Sequence, residues 1–186
     1  PPPPPPPPPP PTPPLTLHDA LPISDEDKRV RSAAVKRLHQ LENILKLYPG
    51  EKDGEVKTVL EERIRQLAAS SGDTRPPLKF RMQALELTSD RDLIEHLAGH
   101  APEAELRLAA LARVERQGVL GDCCIQDSDA GNRAFAAGRI SQHTTLKRVI
   151  DALRKRDKSQ YTELKARLHA ELLRSEEHTS ELQSPM

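Results

Sequence analysis

Aromatic residues are almost missing from this chain, which has no tryptophan, two tyrosines and two phenylalanines among 186 residues. A core must therefore be packed from leucine, isoleucine, valine and the many alanines. Small residues such as alanine let neighbouring helices approach closely. The shortage also removes the rows of aromatic rings on which single-stranded nucleic acids stack.

Cysteine is equally scarce, since the only two, Cys123 and Cys124, are adjacent. Two neighbouring cysteines do not indicate the disulfide framework of a small secreted protein. No apolar run approaches the roughly 20 residues of a membrane span. Basic and acidic residues number 28 each, so the formal net charge is zero. We expect a cytoplasmic protein that does not enter a membrane.

Proline is abundant, but most of the 19 prolines precede residue 15. A proline tract of this kind can form a polyproline II tail that docks into aromatic grooves. However, residues 15–23 resemble a translated sequencing adapter that differs only at Thr16, and residues 174–184 resemble the partner adapter throughout. We therefore predict that 1–23 and 174–186 are disordered artefacts of cloning or assembly. Residues 24–173 are then a fragment of a longer protein.

The charge of that inner segment is close to neutral. Removing Arg174 leaves 27 basic residues, and removing Asp19, Glu176, Glu177 and Glu181 leaves 24 acidic ones, so the net charge is +3. This excess is too small to indicate a polyanionic partner by itself.

A nine-residue pattern recurs along the segment. Its first copy starts at Val30, numbered position 0 here, with Arg31 at +1, Ala34 at +4, a second arginine at +7 and Leu38 at +8; an acid, Asp27, stands at −3. Other copies start at Val56, Leu106 and Asn132, and a weaker one starts at Gln160. A repeat of this length is typical of an α-solenoid built from stacked helix pairs.

The intervals between copies support the repeat. The starts are 26, 50, 26 and 28 residues apart, and the interval of 50 contains a worn copy at Phe80, Arg81 and Ala84. At about 100° per residue, positions 0, +4 and +8 form one apolar stripe, and the arginines at +1 and +7 flank it. We expect their stems to cover the stripe while the guanidinium groups stay in water, and the acid at −3 to cap the helix.

These signals predict an all-α chain in which short helices alternate with patterned ones. No strand signal competes with them. The predicted helices are 54–69, 78–87, 90–99, 102–116, 118–126, 129–141, 144–156 and 160–173, with helical periodicity over 27–47 that breaks near 39–41.

The spacing of acid, apolar residue, arginine and alanine resembles short HEAT-type helical repeats. More closely, residues 101–111 (APEAELRLAAL) and 154–158 (RKRDK) are similar to the helical repeat region of large bacterial proteins that carry a domain of unknown function, number 349. The resemblance covers essentially all of 24–173 and implies a cytoplasmic, non-enzymatic helical protein. The chain departs from the pattern at Gly131, Asn132 and Gly138, so we expect a looser unit there.

Two pairs of residues could bind a metal ion, and we weigh each against a structural role. Cys123 and Cys124 point about 100° apart on a helix, and no further cysteine completes a site; the prediction is two buried small residues. His96 and His100 have the i, i+4 spacing of two ligands on one helical face, but no third ligand or general base accompanies them. We predict no metal and no cofactor.

The densest basic cluster is the strongest candidate for binding nucleic acid. It consists of Lys147, Arg148, Arg154, Lys155, Arg156 and Lys158. Such a cluster can bind phosphates. The alternative is a solvated helix face whose cations are favoured near a helix C-terminus.

Three classes of function follow, and we rank a non-catalytic scaffold with a protein partner and no small-molecule substrate first. A nucleic-acid-associated module that uses residues 147–158 is the alternative. An enzyme resembling the HEAT-like bilin lyases ranks last, because the sequence has no acid/base or nucleophile constellation.

The pattern also predicts what couples one repeat to the next. The basic residue at +1 of one unit should reach the acid at −3 of the following unit, which places Arg31 near Asp53 and Arg107 near Asp129. The predicted coupling residues are Arg31, Lys57, Arg107, Arg133, Asp53 and Asp129. The alternative is that each acid only caps its own helix and each arginine extends into solvent.

Overall fold

A computed structural model describes residues 24–182, with side chains for 24–170. The described backbone is helical throughout, with no strand. The helices are α1 Lys28–Lys36, α2 Leu41–Leu47, α3 Gly54–Ala68, α4 Leu78–Leu87, α5 Arg91–His100, α6 Ala104–Leu111, α7 Gln117–Gln126, α8 Ala130–Arg139, α9 His143–Leu153 and α10 Lys158–Leu182; short 3-10 segments cover Tyr48–Gly50 and Gly72–Thr74. The predicted all-α class is confirmed.

Aspartates start several of these helices. The side chains of Asp27, Asp53, Asp90 and Asp129 each accept hydrogen bonds from backbone N–H groups of the first turn of their own helix. These N–H groups have no partner within the helix, so the carboxylate both satisfies them and complements the helix dipole. Glu103 makes no such bond.

The helices pack as two rows that contact each other. The first row consists of the patterned helices α1, α3, α4, α6 and α8, each of which contacts the next one in that order. The second row consists of α5, α7 and α9. The two rows contact each other where α5 packs on α6 and α7 packs on α8. Between the rows lies one core of leucine, isoleucine, valine and alanine, in which Ala84, Ala110 and Ala136, all at position +4, are fully buried. Alanine at this position lets the helices lie close together.

One patterned helix ends earlier than the periodicity predicted. Helix α6 ends at Leu111, because Arg113 and Val114 donate their N–H groups three residues back, to Ala110 and Leu111. Bonds of this 3-10 type tighten the chain. They turn Val114, at position +8, into the core, where it is 1% exposed. In this unit position +8 completes the core from the turn, whereas Ile64, the +8 residue of the Val56 unit, lies within α3.

The last helix is longer than predicted. Helix α10 continues to Leu182, past the boundary placed at residue 173. No proline or glycine occurs within its range, and such residues are what normally end a helix. The backbone of 174–182 is therefore helical where disorder was predicted. Residues 1–23 and 183–186 lie outside the described residues, and the adapter origin of both ends stays a prediction.

Candidate functional site

The arginine at position +1 closes the turn that precedes its own helix. The Nη1 atom of Arg107 donates to the carbonyl oxygens of Ala101 and Pro102, at 2.9 and 3.0 Å. Arg31 and Arg133 donate in the same way to the carbonyls at positions −5 and −4 of their own units. The repeat in the sequence is therefore also a repeat of hydrogen-bond geometry.

The same arginine also binds a carboxylate of the following unit. Nε and Nη2 of Arg107 donate to the two carboxylate oxygens of Asp127, at 2.9 and 2.8 Å, and these side chains are only 9% and 2% exposed. Arg31 binds Glu51 with the same pair of atoms, at 3.2 and 3.3 Å. Pairing of both carboxylate oxygens with one guanidinium is among the strongest polar contacts in proteins.

The predicted pairing was wrong by two positions, because each arginine binds an acid that stands two residues before the predicted one. Arg107 was expected near Asp129 and Arg31 near Asp53, but Asp129 and Asp53 cap their own helices. The carboxylate that reaches the preceding unit stands at −5. The acids at −5 lie in the turn, where they accept backbone N–H groups of the turn as well as the arginine of the preceding unit.

A third contact shows what happens when a unit has no acid at −5. In the unit that starts at Leu106, position −5 is Ala101, which has no carboxylate. Arg81 therefore binds Glu103, at −3, with 2.7 Å between Nη1 and Oε2. Glu103 makes no cap bond to its own helix.

The remaining coupling residues behave differently from one another. Arg133 lies 3.8 Å from a carboxylate oxygen of Asp157, at the predicted spacing of −3. Lys57 has no carboxylate of the next unit to bind; its Nζ lies 5.0 Å from the ring centroid of Tyr48. Cation–π contact of this kind stabilises by about 0.5–1 kcal/mol at exposed sites.

Asn132 replaces the apolar residue at position 0, and the structure explains why. It is 2% exposed, and its Nδ2 atom donates to the carbonyl of Ala104 at 3.0 Å and to Asp127 at 3.3 Å. Helix α8 is unbroken over Ala130–Arg139. The departure from the pattern thus adds a hydrogen-bonded side chain to the Arg107–Asp127 pair.

Burial of these charges is another correction. The guanidinium groups were expected to stay in water, yet Arg81 is 2% and Arg107 7% exposed. Hydrogen bonding to Asp127 raises the pKa of Arg107. Burial raises the pKa of Asp127, but the hydrogen bonds it accepts from Arg107, the backbone of Asp129 and Asn132 outweigh this and lower its pKa overall. Both groups are therefore charged, and each requires the other.

The arginine at position +7 binds carbonyl groups instead of carboxylates. Arg113 donates to the carbonyl oxygens of Leu85 and Thr88, in the preceding patterned helix and at its end. Arg63 donates to Leu38 and Arg139 to Leu111 in the same sense. These carbonyls lie in the last helical turn or just after it, where no N–H of the helix is available to them. A second row of arginines thus joins the units at the opposite ends of the patterned helices.

The predicted basic cluster is divided by the structure. Lys147 and Arg148 lie within α9, residues 154–156 form the turn after it, and Lys158 begins α10. Arg154 therefore lies about 9 Å beyond Arg148 along the helix axis at 1.5 Å per residue. Arg148 donates to Asp122 at 2.6 Å and to the carbonyl of Gly118 at 3.0 Å, so it is already used between α9 and α7. The side chains of 154–156 are exposed.

Gly121 makes the Arg148 contact sterically feasible. A Cβ atom at this position would lie 2.4 Å from Nη2 of Arg148 and 2.8 Å from Cγ2 of Thr145. Both distances are too short for real Cβ contacts, and the β-branched Thr145 has little freedom to move. The glycine therefore has a packing role between α7 and α9.

A cleft of about 550 Å³ lies between α5 and α7. Its lining includes both predicted histidines, whose stacked rings are 4.8 Å apart. Burial, followed by the charge of His100, lowers the pKa of His96. Acidic side chains complete the rim, namely Asp92, Glu95 and Asp122. Among the described residues, no group of three His, Cys, Asp or Glu stands close enough to hold a metal ion.

The cysteine pair belongs to the core, as predicted. Cys123 and Cys124 are 5% and 0% exposed. Burial raises the pKa of each thiol to about 11. A thiol with such a pKa is protonated at neutral pH and is a poor nucleophile.

Comparisons with known proteins yield no relative. No protein-family model matches the chain, and neither the curated proteins nor the solved structures contain a match. None of the described helices combines the length and the apolar character that a membrane crossing requires.

Proposed function

We propose that the chain is a non-catalytic scaffold, a short α-solenoid of HEAT-like helix pairs that binds a protein partner in the cytoplasm. The observation that carries the proposal is the equivalent set of arginine bonds in successive units. The units that start at Val30 and Leu106 bind the following unit through the same arginine atoms. Recurring contacts of this kind are typical of a stack that grows in one dimension. Such stacks commonly present a long surface to a partner.

The charged and nucleophilic groups also favour a scaffold. Arg81, Arg107 and Asp127 are used in bonds between units, and the two thiols have pKa values of about 11. These groups hold the stack together and are not poised for acid/base or nucleophilic chemistry. No cofactor is part of the proposal.

The proposed binding face is the surface of the second row of helices, α5, α7 and α9. The α5/α7 cleft lies on it, and Gly99 and Gly118 have open space where a side chain would stand. Partner side chains can therefore approach the backbone of these helices. The nucleic-acid alternative stays a prediction, supported by the exposed turn at 154–156 but weakened by the engagement of Arg148 with Asp122.

Site-specific photo-crosslinking tests the proposed face. A photoreactive amino acid replaces Gln126 on the cleft, and in a matched control it replaces Ala134, an exposed position of α8 on the other row. We expect a discrete protein adduct from position 126, insensitive to nuclease, and none from 134. Adducts that nuclease removes, or equal labelling at both positions, would contradict the proposal.

A deletion tests the architecture separately. Removing residues 104–129 takes out one whole period. Residue 103 is then joined to residue 130, which is the counterpart of residue 104 in the next unit. A one-dimensional stack should still unfold cooperatively, with helical circular dichroism reduced in proportion to the residues lost. A chain that loses all helical signal would show that the units do not stack independently.

A further inference from the structure

Pairing leaves an excess of positive charge at one end of the helices. Arg113 and Arg139 donate to backbone carbonyls, which carry no net charge. The arginines at position +1 instead donate to carboxylates that neutralise them, as Arg31, Arg81 and Arg107 do. Helix carbonyl dipoles offset only about half a charge at each helix end. The end marked by Arg113 and Arg139 is therefore positive.

A cleft of about 390 Å³ opens at this end, and four arginines line it: Arg91, Arg113, Arg116 and Arg139. Two glutamates offset half of that charge. Arg116 binds Glu95 at 2.7 Å and Arg91 binds Glu115 at 3.2 Å. The side chains of Arg116 and Arg91 are 70% and 80% exposed in these pairs, so they remain available to a ligand.

We propose that this arginine cleft binds an anionic group, a carboxylate or a phosphate, on an extended segment of the protein partner. The inference rests on the scaffold function proposed above and names the chemistry of the partner. Guanidinium groups bind both anions with two parallel hydrogen bonds. A hydroxyl donor, Ser89, also lines the cleft. The ligand replaces the exposed Glu115 as the partner of Arg91, and it shares Arg116 with Glu95, whose side chain is only 14% exposed.

A peptide fits this cleft better than a nucleic acid does. Glu95 and Glu115 alternate with the arginines, and they would repel the uniform negative charge of a phosphate backbone. Among the described residues that line the cleft, none is aromatic. A nucleic-acid base therefore has no ring there on which to stack. The apolar lining residues are aliphatic, namely Ile94, Ala112 and Val114.

Fluorescence anisotropy with defined probes tests the proposal. The probes are a labelled octaglutamate peptide, a phosphoserine peptide of equal charge, and a thymidine oligonucleotide. We expect the double variant Arg91→Gln/Arg116→Gln to bind octaglutamate about tenfold more weakly, since each exposed charge contributes modestly. Glu115→Gln removes a competing anion and should tighten binding a few-fold, on the order of one such pair.

A matched double variant provides the control. Arg154→Gln/Arg156→Gln removes the same charge from the exposed turn after α9, and it should change binding less than about twofold. A phosphoserine peptide that binds much more tightly than octaglutamate identifies the anion as phosphate, whereas equal binding identifies carboxylate. Circular dichroism confirms that both double variants remain folded.

Three results would overturn the inference. They are an equal loss in both double variants, tighter binding of the oligonucleotide than of either peptide, and no peptide binding at all by the unaltered chain. If a protein adduct still forms at position 126, the proposed scaffold function survives any of these results. Loss of both the adduct and peptide binding would remove the two together.

Discussion

In the unit that starts at Leu106, the arginines at +1 and +7 have opposite surroundings. At +1, Arg107 lies 9% exposed against a carboxylate of the next unit. At +7, Arg113 is exposed and donates to two carbonyls of the preceding unit. A buried charge must have a countercharge, whereas a solvated one requires only acceptors. The +1 row should therefore dominate stability, and the +7 row should leave charge available for binding.

The largest effect is expected from Asp127→Ala. This change leaves Arg107 buried without its countercharge, so the free energy of unfolding should fall by about 3–5 kcal/mol. Urea denaturation measures it. The matched control is Asp129→Ala, which removes only a helix cap and should cost about 1 kcal/mol. Equal losses would mean that the pair at −5 is no more important than the cap at −3.

A double-mutant cycle sharpens the assignment of partners. Arg107→Ala combined with Asp127→Ala should show a coupling free energy of about 2 kcal/mol, because the two side chains share two hydrogen bonds. Arg107→Ala combined with Asp129→Ala should be additive within about 0.5 kcal/mol. The reverse pattern would restore the pairing that the sequence predicted.

The pH dependence of stability separates the two rows further. The pKa of Asp127 is lowered in the folded chain, so its contribution is complete above the unfolded pKa of about 4 and is lost as the pH falls through the lower folded value. Stability should therefore drop by about 1–2 kcal/mol more in the unaltered chain than in Asp127→Asn between pH 5 and pH 2. Denaturation curves at several pH values measure this difference. Parallel pH profiles for the two proteins would contradict it.

The smallest effect is expected in the +7 row. Arg113→Gln removes two hydrogen bonds to carbonyls and should cost about 1 kcal/mol. Carbonyl groups do not titrate, so this loss should be the same at pH 7 and pH 3. Arg91→Gln, at a highly exposed position, serves as the control and should change stability by less than about 0.5 kcal/mol. A loss of several kcal/mol for Arg113→Gln would mean that the two rows are equivalent.

The success of sequence reasoning differed between helices and contacts. Asp27, Asp53 and Asp129 were predicted as caps, and each caps a helix. Glu103, which follows Pro102, makes no cap bond. These are local events within a few residues of chain, which the spacing of residue types encodes directly. The acids at −5, Glu51 and Asp127, are equally visible in the sequence, but Ala101 breaks their recurrence.

The sequence by itself determined the helical class, the period of about 26 residues and the caps, because each depends on neighbours along the chain. Only the tertiary structure decided which acid each arginine binds, how deeply Arg81 is buried and how Arg148 is used. Those outcomes depend on where the next unit places its turn relative to the guanidinium group. A shift of two residues in the sequence changes a carboxylate from a helix cap into the partner of a buried charge.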